Sequence, residues 1–156
     1  MKTRFIPLCL LISTPVMADD APSDSLNPNV SQEAIYRALA VRDPVPSCET
    51  IETMSPTPLA DLLYVIDHAT QPPWVAMRAA QCVLRRHGED AQPQIARWVR
   101  SEETRGLALM TFSLLDQMPL ELATPIAEAA LQGPLAEDAQ ERLGRADSPE
   151  LRALVR

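Results

Sequence analysis

Residues 72–88 read PPWVAMRAAQCVLRRHG. Two prolines open the stretch, a glycine closes it, and the residues between are spaced for a helix. Read alone, it is one helix carrying a cysteine and a histidine, as an enzyme site would. Read with its neighbours, it is one unit of a repeat. It contains Ala80-x-x-x-Leu84; two helices on stands Ala108-x-x-x-Phe112, and two further on Ala139-x-x-x-Leu143, at offsets of 28 and 31 residues. The intervening helices match as well: Leu62/Ile66, Ile95/Val99 and Ile126/Ala130 lie 33 and 31 residues apart. A small residue one turn before a large one lets two helices approach, and the large one fills the gap beside them. In an Ala/Leu-rich chain one such pair says little. Recurring in every second helix at a near-constant period, it points to helical hairpins in a row.

Working outward, the pattern is helical throughout. Ser31 is placed to cap SQEAIYRALAVRD, with Ile35 and Leu39 on one face. Residues 43–58, DPVPSCETIETMSPTP, hold four prolines and read as a loop that Cys48 ties down. Thr57-Pro58 starts a helix with Leu59, Leu62, Leu63 and Ile66 on one face, and Pro72-Pro73 ends it and starts the next, which Gly88 stops. Asp90 opens a third with Ile95, Trp98 and Val99 in one stripe. Further helices are expected over roughly 103–117, 120–132 and 134–146, with a short last one from Ser148-Pro149. No alternating apolar and polar run with hairpin turns appears, so strands are not expected. Connections of two to four residues make consecutive helices antiparallel.

RGLALMTFSLLDQM, residues 105–118, points its large apolar residues nearly all round the helix, so it must be covered on several sides. LAEDAQERLGRAD, residues 135–147, has one thin apolar stripe and a broad charged face. A buried middle and a polar end suit a solenoid. A compact bundle around a central helix accounts for the same pattern.

The stretch VAMRAAQCVLRRHGEDAQPQIARWV resembles HEAT repeats, including the lyase-type HEAT-like units of bacteria. Arg78-Ala79-Ala80, then Leu84, a Gly-Glu-Asp break, Pro93 and Ile95 carry the likeness. It covers residues 58–145 and fades in the third unit, where Ala139 and Leu143 remain but the arginine is missing. Tetratricopeptide repeats share the small-x-x-x-large spacing, but their first-helix Trp/Leu-Gly/Tyr set is absent. The resemblance implies an all-α fold: a short right-handed α-solenoid of about three HEAT-like hairpins with flanking N- and C-terminal helices. HEAT-like proteins are mostly binding scaffolds, and a few bacterial relatives attach bilin pigments. The resemblance implies binding and names no ligand.

The first 18 residues, MKTRFIPLCLLISTPVMA, combine Lys2 and Arg4 with a short apolar run and a small-residue end. They read as a signal peptide cleaved after Ala18, the run being far shorter than the ~20 residues that span a bilayer. Cys9 lies too close to the start, beside Pro7, to be read as a lipid anchor. Residues 19–30 read as a flexible leader and residues 31–156 as one HEAT-like domain, large enough for its own core. Cleavage leaves Cys48 and Cys82, which in an oxidising compartment most simply pair; two buried free thiols are the alternative. The chain's formal charge is -7, which argues against nucleic acid and anionic lipid as partners.

His68 and His87 are the only histidines, and no C-x-x-C or H-x-x-x-H spacing suggests a metal site. His87 stands near a helix end, where a cation favours the helix dipole. Cys82 and His87, five apart on a helix, do not face one another as a nucleophile pair would. No G-x-S-x-G surrounds Ser113, no glycine-rich phosphate loop is present, and no cofactor is implied. Glu102-Glu103 and Glu137-Asp138 read as helix-start charges.

Charge is unevenly placed. Residues 74–105 carry six arginines against four acids, between flanks that are both acidic. Arg78 and Arg85 fall on one helix face, and Arg105 has a comparable place in the next unit. They form a candidate strip for an acidic segment of a partner protein; pairing with the chain's own acids is the plainer account. Trp74, at a helix start beside two prolines, has two readings: a staple of that turn, or an exposed aromatic anchor for the same partner. The reading is therefore a secreted or periplasmic scaffold or adaptor, non-catalytic. An accessory or lyase-like protein using Cys82, and a small structural bundle of the cell envelope, are the rivals.

Overall fold

The computed structural model describes residues 29–156. The expected signal peptide, with Cys9, and residues 19–28 of the expected leader lie outside the described residues. Among these, all regular structure is helical: α1 (Val30–Ala40), α2 (Cys48–Glu52), α3 (Pro58–His68), α4 (Trp74–Arg86), α5 (Gln92–Val99), α6 (Arg105–Leu114), α7 (Leu120–Leu131), α8 (Ala136–Gly144) and α9 (Pro149–Ala153). Short 3₁₀ turns, Glu102–Thr104 and Leu115–Gln117, flank α6. No helix among the described residues is long and apolar enough to cross a membrane.

Two starts differ from expectation. Asn29, not Ser31, caps α1: its side chain accepts from the Gln32 amide and Gln32 reaches back to the Asn29 amide. The cap of α1 therefore lies two residues before Ser31. Ser31 is turned to another task, donating to Asp61 Oδ2 at 2.6 Å. The proline-rich stretch contains α2, a five-residue helix capped by Ser47 and seated by the buried Ile51.

Packing follows the repeat. All six members of the Ala80/Leu84, Ala108/Phe112 and Ala139/Leu143 pairs are buried, as are Leu62/Ile66, Ile95/Val99 and Ile126/Ala130. Burying one such Leu or Phe side chain contributes about 1.5–3 kcal/mol. Within hairpins, α3 packs on α4, α5 on α6 and α7 on α8. Between hairpins, α4 meets α6, α6 meets α8, α5 meets α7 and α7 meets α9, while α1 closes one end against α3 and α4. The α6 helix is covered less completely than expected, since Leu109 is 42% exposed.

Alternate helices run parallel. The start of α6 at Gly106 lies by Met77 of α4, while Leu84 near the end of α4 shares a cleft with Leu114. For α6 and α8, Arg105 reaches Asp138 at the two starts and Arg142 reaches the Phe112 carbonyl near the two ends. Gly133, after α7, sits against Val99 O and Arg100 Cα at the end of α5.

Helix ends are closed by side chains from neighbouring elements. Arg78 of α4 donates to the Leu39 and Val41 carbonyls at the end of α1, at 2.7 and 2.5 Å. Arg142 of α8 does the same for Phe112 and Ser113, and Thr104 for Trp98 at the end of α5. These carbonyls would otherwise be orphaned, and a guanidinium also suits the negative end of the dipole.

Candidate functional site

The strip expected from sequence is resolved into separate arrangements. Pro72 and Pro73 set the start of α4 and place Trp74 at its first position. There the ring is half-buried, with the Arg42 and Arg78 guanidiniums 5.2 and 5.9 Å from its centroid and its Nε1 3.4 Å from the Ala40 carbonyl. Trp74 and Arg78 thus join α4 to the end of α1.

Arg105, at the start of α6, lies 3.0 Å from Glu102 and 2.7 Å from Asp138. The hydrogen bond it donates to Glu102 and the charge of Asp138 raise its pKa further. Its own acids satisfy it, the plainer account given above. Because α4 and α6 are parallel, Arg105 stands at the Met77 end of α4, away from Arg85.

Arg85 is different. It is exposed near the end of α4 and forms no ion pair among the described residues. Three clefts meet at its side chain. The first, about 350 Å³, lies between α4 and the segment leading into α2. The second, about 330 Å³, runs beside His87 and Gly88 towards Pro119. The third, about 220 Å³, lies by Leu114 and Met118.

Next to Arg85, Arg86 reaches towards α2 and binds Glu52 at 3.1 Å, with Glu49 at 3.8 Å. His87 Nε2 is 3.0 Å from Glu52 but not aligned for a hydrogen bond, so its contribution there is one of charge only when protonated. The Arg86 hydrogen bond holds the Glu52 carboxyl below its ordinary pKa, against burial that raises it. Beside this pair Cys48 is bonded to Cys82, with an S–S distance of 2.05 Å. While that bond stands Cys82 has no thiolate, and a function using its sulfur lacks its nucleophile.

A second groove, about 360 Å³, lies between α1 and α3 and was not anticipated. It gathers Tyr36 and Tyr64, the chain's two tyrosines, and His68. Tyr36 donates its hydroxyl to the Gln71 carbonyl, and the Tyr64 ring stacks on His68 at 4.0 Å. Nothing in the spacing 36, 64, 68 announces it, because two different helices supply its walls.

Asp61 was also not singled out. It is 2% exposed, yet accepts from Ser31, Ser55, Gln32 and Asn29 at 2.6, 2.6, 3.0 and 3.3 Å. Burial raises its pKa, and the four hydrogen bonds outweigh that and leave it lowered. A carboxylate fully bonded in this way is structural: it knots the start of α1 to α3 and to the turn after α2. No family model, no curated protein and no solved structure matches this chain.

Proposed function

We propose that this chain is a secreted or periplasmic HEAT-like helical-repeat protein, a short α-solenoid that serves as a non-catalytic scaffold for another protein. Parallel alternate helices, each hairpin packing on the next, support the solenoid part of the reading. The disulfide supports an oxidising compartment. One observation carries the binding part: on a chain of net charge -7, Arg85 is exposed, lacks an ionic partner and stands where three clefts meet. An unpaired guanidinium in such a place suits a partner's carboxylates.

The test is site-specific photo-cross-linking in the native envelope, with the photoreactive residue placed in turn at Gln81, Leu109 and Glu121. A discrete protein adduct whose yield falls in the Arg85→Glu background supports the reading. No protein adduct from any of the three positions would retire it.

A further inference from the structure

We infer that the cleft between α4 and the Val45–Glu49 segment recognises an acidic residue set directly beside a large apolar one in the partner chain. The inference rests on the scaffold reading above and names what that scaffold takes.

The cleft has two kinds of wall. Val45, Pro46 and Cys48 supply apolar surface, with the buried Leu39 and Cys82 behind them. Val45 is 49% exposed although it borders this apolar surface, so part of a hydrophobic contact stands open to water. Ser47, Gln81 and three arginines supply the polar lining, with Glu49 as the one carboxylate.

The three guanidiniums are in different states. Arg86 is compensated by Glu52. Arg78 donates to carbonyls, so its geometry is fixed but no carboxylate cancels its charge. Arg85 lacks both. The cleft is thus cationic on an acidic molecule, with apolar side chains among its lining residues. A bare anion would satisfy Arg85 and leave Val45 and Pro46 wet. An uncharged apolar side chain would cover Val45 and leave Arg85 unpaired. A peptide bearing both satisfies both, and the 350 Å³ available accommodates one large side chain with its neighbours. The disulfide and the Arg86–Glu52 pair tie the two walls together, so little ordering is needed on binding.

The probe is a short fluorescent peptide with a phenylalanine between two aspartates, its binding to the mature chain followed by anisotropy. Replacing the phenylalanine by alanine, or both aspartates by asparagine, is expected to weaken binding about tenfold in each case. Arg85→Glu and Val45→Asp in the protein are expected to do the same, and Arg156→Glu to leave affinity unchanged. Arg85→Glu is a surface change, so the test stands even if Val45→Asp fails to fold.

Equal binding of the phenylalanine and alanine peptides would overturn the inference, as would unchanged affinity in Arg85→Glu. Competition by inorganic phosphate as strong as by the peptide would reduce the cleft to an anion site. Binding of phosphatidylglycerol vesicles in place of the peptide would make it a lipid contact. Cross-linking separates the two levels: adducts from Leu109 with none from Gln81 preserve the scaffold and remove this cleft, and adducts from nowhere remove both.

Discussion

Cys82 is bonded to Cys48 across 34 residues of sequence, and the bond fastens α2, a helix too short to stand alone, to α4. In the chain-entropy model a loop of this length is worth about 4 kcal/mol. Reduction is therefore expected to lower the melting temperature by about 16 °C, since 1 kcal/mol moves a domain of this size by about 4 °C. Thermal unfolding with and without a phosphine reductant measures it, and Cys48→Ser should reproduce the reduced curve. An unchanged midpoint would mean that α2 is held by Ile51 and the Arg86–Glu52 pair alone.

Asp61 ties stability to pH. Its folded pKa lies below its unfolded value of ~3.9, so the carboxylate binds its proton less readily in the native state. The resulting stability is fully present above about pH 4 and is lost as pH falls through the lowered folded value. Urea unfolding at pH 7 and in the acid range should show this loss in the natural chain and a flatter profile in Asp61→Asn. Asp61→Ala is expected to cost about 2–4 kcal/mol at pH 7, because it leaves the hydroxyl of Ser55 and the amides of Asn29 and Gln32 without their acceptor, while Ser31 keeps only Asn29 Oδ1.

What could be read in the sequence, and what could not, divides by range. Ile95, Trp98 and Val99 form one stripe because a period of 3.6 encodes burial within a single helix, and all three are buried. The small/large pairs were legible for the same reason. Helix α2 was hidden because five residues carry no periodicity and the prolines on either side, Pro44, Pro46, Pro56 and Pro58, spell loop. Asp61 stands between Leu59 and Leu62, where a carboxylate reads as solvated; only the arrival of Asn29, Ser31 and Ser55 gives it a reason to be buried. The arginines differ likewise. Their place along their own helices was plain, but whether each meets a carbonyl, a carboxylate or water depends on which helix lies alongside.

Gly88 was expected to stop α4, which ends at Arg86, and no glycine among the described residues has positive φ. Its work is steric. A Cβ there would lie 2.5 Å from Leu122 Cδ2 and 3.1 Å from the Leu84 carbonyl, so the missing side chain lets α7 approach the end of α4. Gly88→Ala is expected to cost about 1–2 kcal/mol through overpacking. Because the clash is with Leu122, the combination with Leu122→Ala should cost less than the two single changes added together. A double-mutant cycle by urea unfolding measures the coupling, and strict additivity would show that the site relaxes without involving Leu122.

The arrangement of hairpins predicts how damage spreads. In a row of hairpins each unit touches only its neighbours, so stability is local and additive; in one closed core it is shared. Leu143 of α8 is buried and packs at the α9 end of the row, where α8 meets α6, α7 and α9 but has no substantial contact with α3 or α4. Leu143→Ala is expected to cost about 2–4 kcal/mol locally. Amide exchange followed residue by residue should therefore speed up in α7, α8 and α9 and leave α3 and α4 near their original protection. In the natural chain α1 and α9, each covered on one side, should exchange faster than α4 and α6, which have neighbours on both. If Leu143→Ala lowers protection equally from α1 to α9, the helices share a single cooperative centre, and the compact bundle replaces the solenoid.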